Sequence, residues 1–285
     1  MRYGLTLPNG GIAADARTLG ELAHIAEDSG WDGVFLEDYI VWQGHEDVPT
    51  YDPWIALAVM AARTERVRLG TTVTPLSRRR PWKVAREAVT LDHLSGGRLI
   101  LGVGAGDVND QGFSRVGETL DLKTRAAMLD EALAILAGLW SGQPFAYHGT
   151  SYHIEEMTLL PTPIQTPRIP IWIGGNWPHR GVIRRAARWD GFVGGKASAE
   201  GEYLRLTPDE VRALIVDIAR ERASPASCEI VLGGAARGPD LDAERAMIRA
   251  LAEAGATWWT EYVTPELGGI DAMRARIAGG PVRIE

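Results

Sequence analysis

Cysteine is nearly absent: the 285-residue chain carries one, Cys228. A single thiol excludes a disulfide framework and any zinc or iron–sulfur centre built on cysteines, and it fits a reducing compartment. Long apolar runs are missing too. No stretch reaches about 18 apolar residues, so no membrane span is expected. The opening MRYGLTLPNGG holds too short an apolar run for a signal peptide and reads as a strand. Positive charge is in deficit, with 30 Lys and Arg against 37 Asp and Glu and a formal net charge of −7. That balance argues against nucleic acid as a partner. No low-complexity segment, interdomain linker, nucleophile elbow, Walker loop or H-E-x-x-H helix appears. The cytoplasm is the expected compartment.

Tryptophan, by contrast, is plentiful: ten residues in an otherwise ordinary globular composition. Large aromatics serve cores, interfaces and pockets for flat ligands alike. Short β-rich runs alternate with longer helical patterns along the whole chain. The spacing predicts strands at Tyr3–Leu7, Gly33–Leu36, Val67–Val73, Leu99–Val103, Ile169–Ile173, Gly191–Val193, Glu229–Leu232 and Thr257–Val263. It predicts helices at Arg17–Ser29, Pro53–Arg63, Pro81–His93, Lys123–Trp140, His179–Arg188, Pro208–Arg222, Leu241–Ala254 and Ile270–Ala278. Strand followed by helix, repeated, implies a parallel sheet, and eight units imply a closed (β/α)8 TIM barrel. One domain over residues 1–285 is expected. The double-length interval between the fourth and fifth strands holds Gly142–Pro161, read as an inserted hairpin turning at His148-Gly149 beside the active-site end.

In such barrels chemistry sits at the C-terminal strand ends. Those ends read Glu37-Asp38-Tyr39, Thr71–Thr74, Gly104–Asn109, Gly174–Trp177, Gly194-Gly195-Lys196, Gly233-Gly234 and Glu261-Tyr262. Glycine lets backbone approach a ligand. Repeated around one rim, it suggests a flat ligand across a wide, tryptophan-rich mouth. GVGAGDVND has the wrong spacing for a dinucleotide fingerprint. Gly174-Gly175-Asn176-Trp177 joins a strand to a helix start and reads either as a phosphate site, with His179 or Arg180 adding charge, or as a tight turn. Arg78-Arg79-Arg80 reads as a solvated face or an anion clamp. His45-Glu46-Asp47 reads as a loop. Of Glu37 and Asp38, neighbours on a strand, at most one faces the pocket, to orient a ligand or act as a base.

Three blocks add a resemblance. RLGTTVTPLSRRRPWKVAREAVTLDHLSGGRLILGVGAG, the earlier GWDGVFLED and the later TPRIPIWIGGNWPHRGVIRRAARWDGF together resemble bacterial luciferase-like flavin-dependent oxidoreductases. The likeness covers Arg2–Phe192 well and the last third loosely. It implies reduced FMN or the deazaflavin coenzyme F-420 as cofactor, and either oxygen-dependent monooxygenation or hydride transfer. It places the ring against Asp38, Tyr39, Thr72, Val73 and Gly104, Ala105 and Gly106, with Asn109 as a polar neighbour. Gly174, Gly175 and Asn176 match part of the phosphate and ribityl site. Asp38 and Tyr39 are the catalytic candidates, although many relatives have histidine where Tyr39 stands. The short connection Gly194–Thr207 implies reduced substrate-covering elements.

Two other classes compete. One is a metal-dependent barrel isomerase or hydrolase using Glu37, Asp38, His45, Asp190 and Glu261; the other is a non-catalytic flavin-binding relative. Expected partners are a small-molecule substrate and a separate flavin or F-420 reductase. A homodimer through Trp258-Trp259 is also expected.

Overall fold

Apolar, β-rich runs closed off by glycine fold as the strands of the computed structural model, which describes residues 1–107, 110–199, 201–223 and 227–284. They are β1 (Arg2–Leu7), β2 (Gly33–Leu36), β3 (Arg68–Pro75), β4 (Leu99–Gly104), β7 (Ile171–Asn176), β8 (Gly191–Ala197), β10 (Glu229–Ala235) and β11 (Trp258–Tyr262). Between and beside them lie β5 (Phe145–His148), β6 (His153–Met157) and β9 (Tyr203–Leu204). The helices are α1 (Ala16–Asp28), α2 (Pro53–Arg63), α3 (Pro81–Leu94), α4 (Gln111–Ser114), α5 (Leu122–Trp140), α6 (Arg180–Arg188), α7 (Pro208–Glu221), α8 (Leu241–Glu253) and α9 (Gly269–Ala278). The order β10-β11-β1-β2-β3-β4-β7-β8 is parallel throughout, and β8 pairs with β10 to close the ring. This is the expected eightfold barrel.

The helices start where the sequence places polar caps. Asp15, Asp52, Asp121 and Asp240 each accept backbone N–H bonds at an N-terminus, and Thr207 with Glu210 forms a capping box. Each cap contributes on the order of 1 kcal/mol and fixes where strand becomes helix, hence the rim.

The barrel interior explains part of the tryptophan count. Phe35, Ile100, Trp172, Val231 and Trp258 form a buried plug, with Trp172 centred 5.1 Å from Phe35 and 5.3 Å from Trp258. Glycine makes this possible: a Cβ on Gly191 would meet Trp172 Cδ1 at 2.5 Å. Other indoles tie helices to the outer core, as Trp140 does by donating to the Ala85 carbonyl at 3.1 Å. Two expectations therefore fail. Among the described residues, no tryptophan lines either cavity at the barrel mouth. Trp258 and Trp259, at 0% and 3% exposure, face the barrel interior and the outer core, so they are unavailable for a dimer contact.

The predicted insertion is the antiparallel β5–β6 hairpin, with His148 paired to His153 and the turn beyond Gly149. It lies on the barrel's outer helices and contributes nothing to the cavities at the mouth. Glu131 of α5 accepts N–H bonds from Thr150, Ser151 and Tyr152, and Tyr152 packs edge-on against Trp82 of α3. Its apolar side chains find their burial there. The short β9 escaped sequence reading; it pairs back on Lys196 and Ala197 to make a small flap over the mouth. Among the described residues, no helix is long and apolar enough to cross a membrane.

Candidate active site

The C-terminal strand ends enclose two joined cavities. One, of about 380 Å³, lies over the barrel axis and is walled by Thr6, Glu37, Gln43, Val193, Tyr203, Val231, Leu232, Thr260 and Tyr262 among others. The other, of about 740 Å³, runs outward between α5 and α6 past Tyr39, Gly104, Ala105, Gly106, Leu122 and Arg125 to His179. Both include Glu37, Thr72, Val73, Gly174, Gly175 and Asn176, which form the lip between them.

Val73 makes the floor of that lip. Its side chain is wedged between two glycines: a Cβ on Gly104 would stand 3.0 Å from Val73 Cγ2, and one on Gly174 only 2.6 Å from Cγ1. Side chains at either position would force Val73 up into the mouth. The peptide joining Thr72 and Val73 is cis. Behind it, the Thr71 hydroxyl donates to the Gly102 carbonyl at 2.9 Å, locking β3 to β4.

The two acids just beyond β2 face different surroundings. Asp38 is buried, and Arg79 grips both its oxygens, at 3.0 and 2.7 Å. Thr74 donates to it at 2.8 Å, and Arg78 bonds the Asp38 carbonyl and the Asp110 carboxylate. With its acceptor sites so engaged, Asp38 is an anchor for the rim. Glu37 faces both cavities instead. Trp42 Nε1 at 2.9 Å and the Tyr262 hydroxyl at 3.1 Å both donate to Oε2, leaving Oε1 toward the mouth. Burial raises its carboxyl from the ordinary 4.5 to about 6, against the pull of those two donors. Tyr39 lines the outer cavity with its phenol pushed well above the ordinary range, by burial and by Glu37, Asp107 and Asp110, so it stays protonated.

Cations are sorted just as sharply. Arg125, on α5, is 1% exposed and lines the outer cavity. Its Nη1 donates to the carbonyls of Ala105 at 3.3 Å and Gly106 at 3.1 Å, its plane lies over Phe113, and its Nε has no partner. Among the described residues, no carboxylate forms a salt bridge with it. Burial lowers its pKa, opposed by Asp107, Asp121 and Asp110. Nearby, His179 caps α6, whose Arg180 and Gly181 N–H groups have no intrahelical acceptor. Arg125 and the first turn of α6 both line this outer cavity, and a guanidinium beside a helix N-terminus is suited to an anion.

Of the remaining expected site residues, Thr72, Val73, Gly104, Ala105, Gly106, Gly174, Gly175 and Asn176 meet at this mouth. Asn109 lies outside the described residues. Arg180 is exposed and does not line the cavity, and the Trp177 indole turns away to Asp217 at 3.1 Å. Arg78 and Arg79 are neither a solvated face nor an anion clamp, because they are closed on Asp38 and Asp110 inside the rim. The metal alternative loses its ligands in the same way. Asp190 pairs with Arg168 and Glu261 with Arg237, and among the described residues no three His, Cys, Asp or Glu converge. Arg125 was missed, although an arginine sharing a helix face with Leu129, Ala132, Leu133 and Leu136 breaks an apolar stripe and is a readable signal.

The family model described as luciferase-like monooxygenase matches residues 1–261. An "F420-dependent glucose-6-phosphate dehydrogenase" of Microbacterium testaceum is 36% identical over 157 residues, which are 54% of this chain and 45% of the relative. The chain spans about half the length of the curated relatives it matches. Among solved structures, an "F420-dependent secondary alcohol dehydrogenase in complex with an F420-acetone adduct" superposes with TM-score 0.74 at 18% identity, covering 97% of this chain and 98% of that one. A monooxygenase from Streptomyces bottropensis superposes with TM-score 0.74 at 20% identity, covering 97% and 96%.

Proposed function

The chain belongs to the luciferase-like monooxygenase family, and from that membership we propose that it is an oxidoreductase using coenzyme F-420 to exchange hydride with a small-molecule substrate. The observation that carries the reading is a continuous mouth that joins a carboxyl of raised pKa, Glu37, to a buried cation, Arg125, that has no salt-bridge partner among the described residues. The names of the similar curated proteins support the same cofactor. When bound, the deazaflavin supplies a carbon that accepts or gives hydride.

The chain's own residues divide the remaining work. Val73, Gly104 and Gly174 line the outer cavity side by side, packed so closely that a side chain on either glycine would meet Val73, which makes them the wall against which the ring would lie. The Arg125 guanidinium and the first-turn N–H groups of α6, at the outer cavity, would hold the phosphate. Glu37 Oε1 takes or returns a substrate proton, and a pKa of about 6 keeps both its states accessible near neutrality. Trp42 and Tyr262 hold that carboxylate in one orientation. Asp38, with Arg78 and Arg79, ties the β2 and β3 ends together so that this geometry is pre-formed. A separate reductase or dehydrogenase that recycles the cofactor completes the proposal.

The family description supports a second reading, reduced FMN with oxygen. Titration of F-420 and FMN, each oxidised and reduced, followed by fluorescence, distinguishes the two. Tighter F-420 binding supports hydride transfer. Tighter binding of reduced FMN, with oxygen consumption, would replace it with monooxygenation.

A further inference from the structure

The axial cavity also carries information about charge. Its walls offer hydroxyls from Thr6, Thr72 and Thr260, the phenols of Tyr203 and Tyr262, and apolar surface from Val231 and its neighbours. Among the described residues, no Arg, Lys or His lines it. The residues outside that description, at 108, 109, 200, 224–226 and 285, are Val, Asn, Glu, Ser, Pro, Ala and Glu, so none of them is basic either. The basic side chains nearest on the bordering strands are already closed. Lys196 of β8 meets Glu210 at 2.6 Å, and Arg237, just beyond β10, meets Glu261 at 2.7 Å.

Among the described residues, the one carboxyl lining the cavity is Glu37, largely an anion at neutral pH. The formal charge of −7 adds no attraction for anions. The buried Arg125 lines the outer cavity and not the axial one.

Resting on the oxidoreductase reading above, we propose that the axial cavity selects an uncharged hydroxy or carbonyl compound and rejects phosphate monoesters and carboxylates. Selection follows from an acceptor carboxylate with no cation opposite it: a hydroxyl can donate to Glu37, whereas an anionic group would be desolvated beside it unpaired. The specificity expected here therefore departs from the sugar phosphate in the names of the similar curated proteins.

The test uses a matched set of ligands: a small alcohol, its phosphate monoester, and a carboxylate of the same carbon skeleton. Each is titrated by calorimetry into the protein, with and without F-420, and turnover is read from the deazaflavin absorbance. The proposal expects the alcohol to bind, and to exceed both anions by at least about ten-fold in affinity and in kcat/KM, or roughly 1.4 kcal/mol or more. It also expects Val193→Lys, at a half-buried position of the cavity wall, to shrink that ratio. A thermal melt matching the unmodified protein shows that this variant is folded, and Thr260→Lys serves if it is not. Anions bound as tightly as the alcohol, or an alcohol that does not bind, overturn the charge selection. Failure of F-420 itself to bind overturns the cofactor reading, a separate result from the same titrations.

Discussion

Replacing Arg125 with methionine separates what that residue does for the fold from what it does for a ligand. Methionine keeps the length and apolar stem, so the packing beside Phe113 and Leu129 is largely retained. The cation at this site is 1% exposed and, among the described residues, has no carboxylate in salt-bridge range and no hydrogen-bond partner for Nε. Burial without a counter-charge is costly, and the bonds to the Ala105 and Gly106 carbonyls offset part of that cost. Losing both together should change stability little, by about 1 kcal/mol or less, a shift of at most about 4 °C in Tm. Affinity for a phosphate is another matter. A charge-assisted hydrogen bond is worth roughly 1.5–3 kcal/mol, one to two decades in Kd. Fluorescence titration should therefore show Arg125→Met weakening F-420 and FMN ten- to hundred-fold, while riboflavin and the phosphate-free deazaflavin bind as before. Equal losses for phosphorylated and unphosphorylated forms would refute the assignment. Arg180→Ala, at an exposed position outside the cavity lining, should change neither set.

Three further perturbations probe the rest of the mouth. Asp38→Asn leaves Arg78 and Arg79 without their shared counter-charge and should cost roughly 3–5 kcal/mol in a urea melt; a change under 1 kcal/mol would deny Asp38 its anchoring role. Gly104→Trp should drive Val73 and the new indole into the ring floor, abolishing binding of phosphate-free and phosphorylated cofactors alike while the circular dichroism spectrum is unchanged. Glu37 has a raised pKa in the fold, so its contribution to stability is fully present below 4.5 and is lost as pH rises through about 6. The difference in unfolding free energy between the unmodified protein and Glu37→Gln should accordingly drift by about 2 kcal/mol across that window, and a flat difference would place the carboxyl at its ordinary value.

The eightfold plan was legible because period and punctuation repeat: each apolar run is short, most helices have an Asp, Thr or Pro start, and the count closes a ring. The destination of the tryptophans was not. Composition cannot tell a pocket wall from a barrel plug, and the deciding feature is a glycine on a neighbouring strand, such as Gly191 beside Trp172. Arg78 and Arg79 read as surface because their partners are distant in sequence; Asp38 and Asp110 become neighbours only when β2, β3 and β4 align. The choice between Glu37 and Asp38 depended on the pleat at the end of one strand, which alternation narrows to two options and leaves there. Arg125 was visible as a charge in an apolar helix face, and its meaning came from the empty space opposite.

A structure of the protein soaked with F-420 addresses the central claim most directly. The account predicts the deazaflavin ring against Val73 between Gly104 and Gly174, with the phosphate on Arg125 and the first turn of α6, and Glu37 Oε1 facing the reactive edge. A ring seated elsewhere in the barrel, or a phosphate turned away from Arg125 to the exposed Arg180, would contradict it.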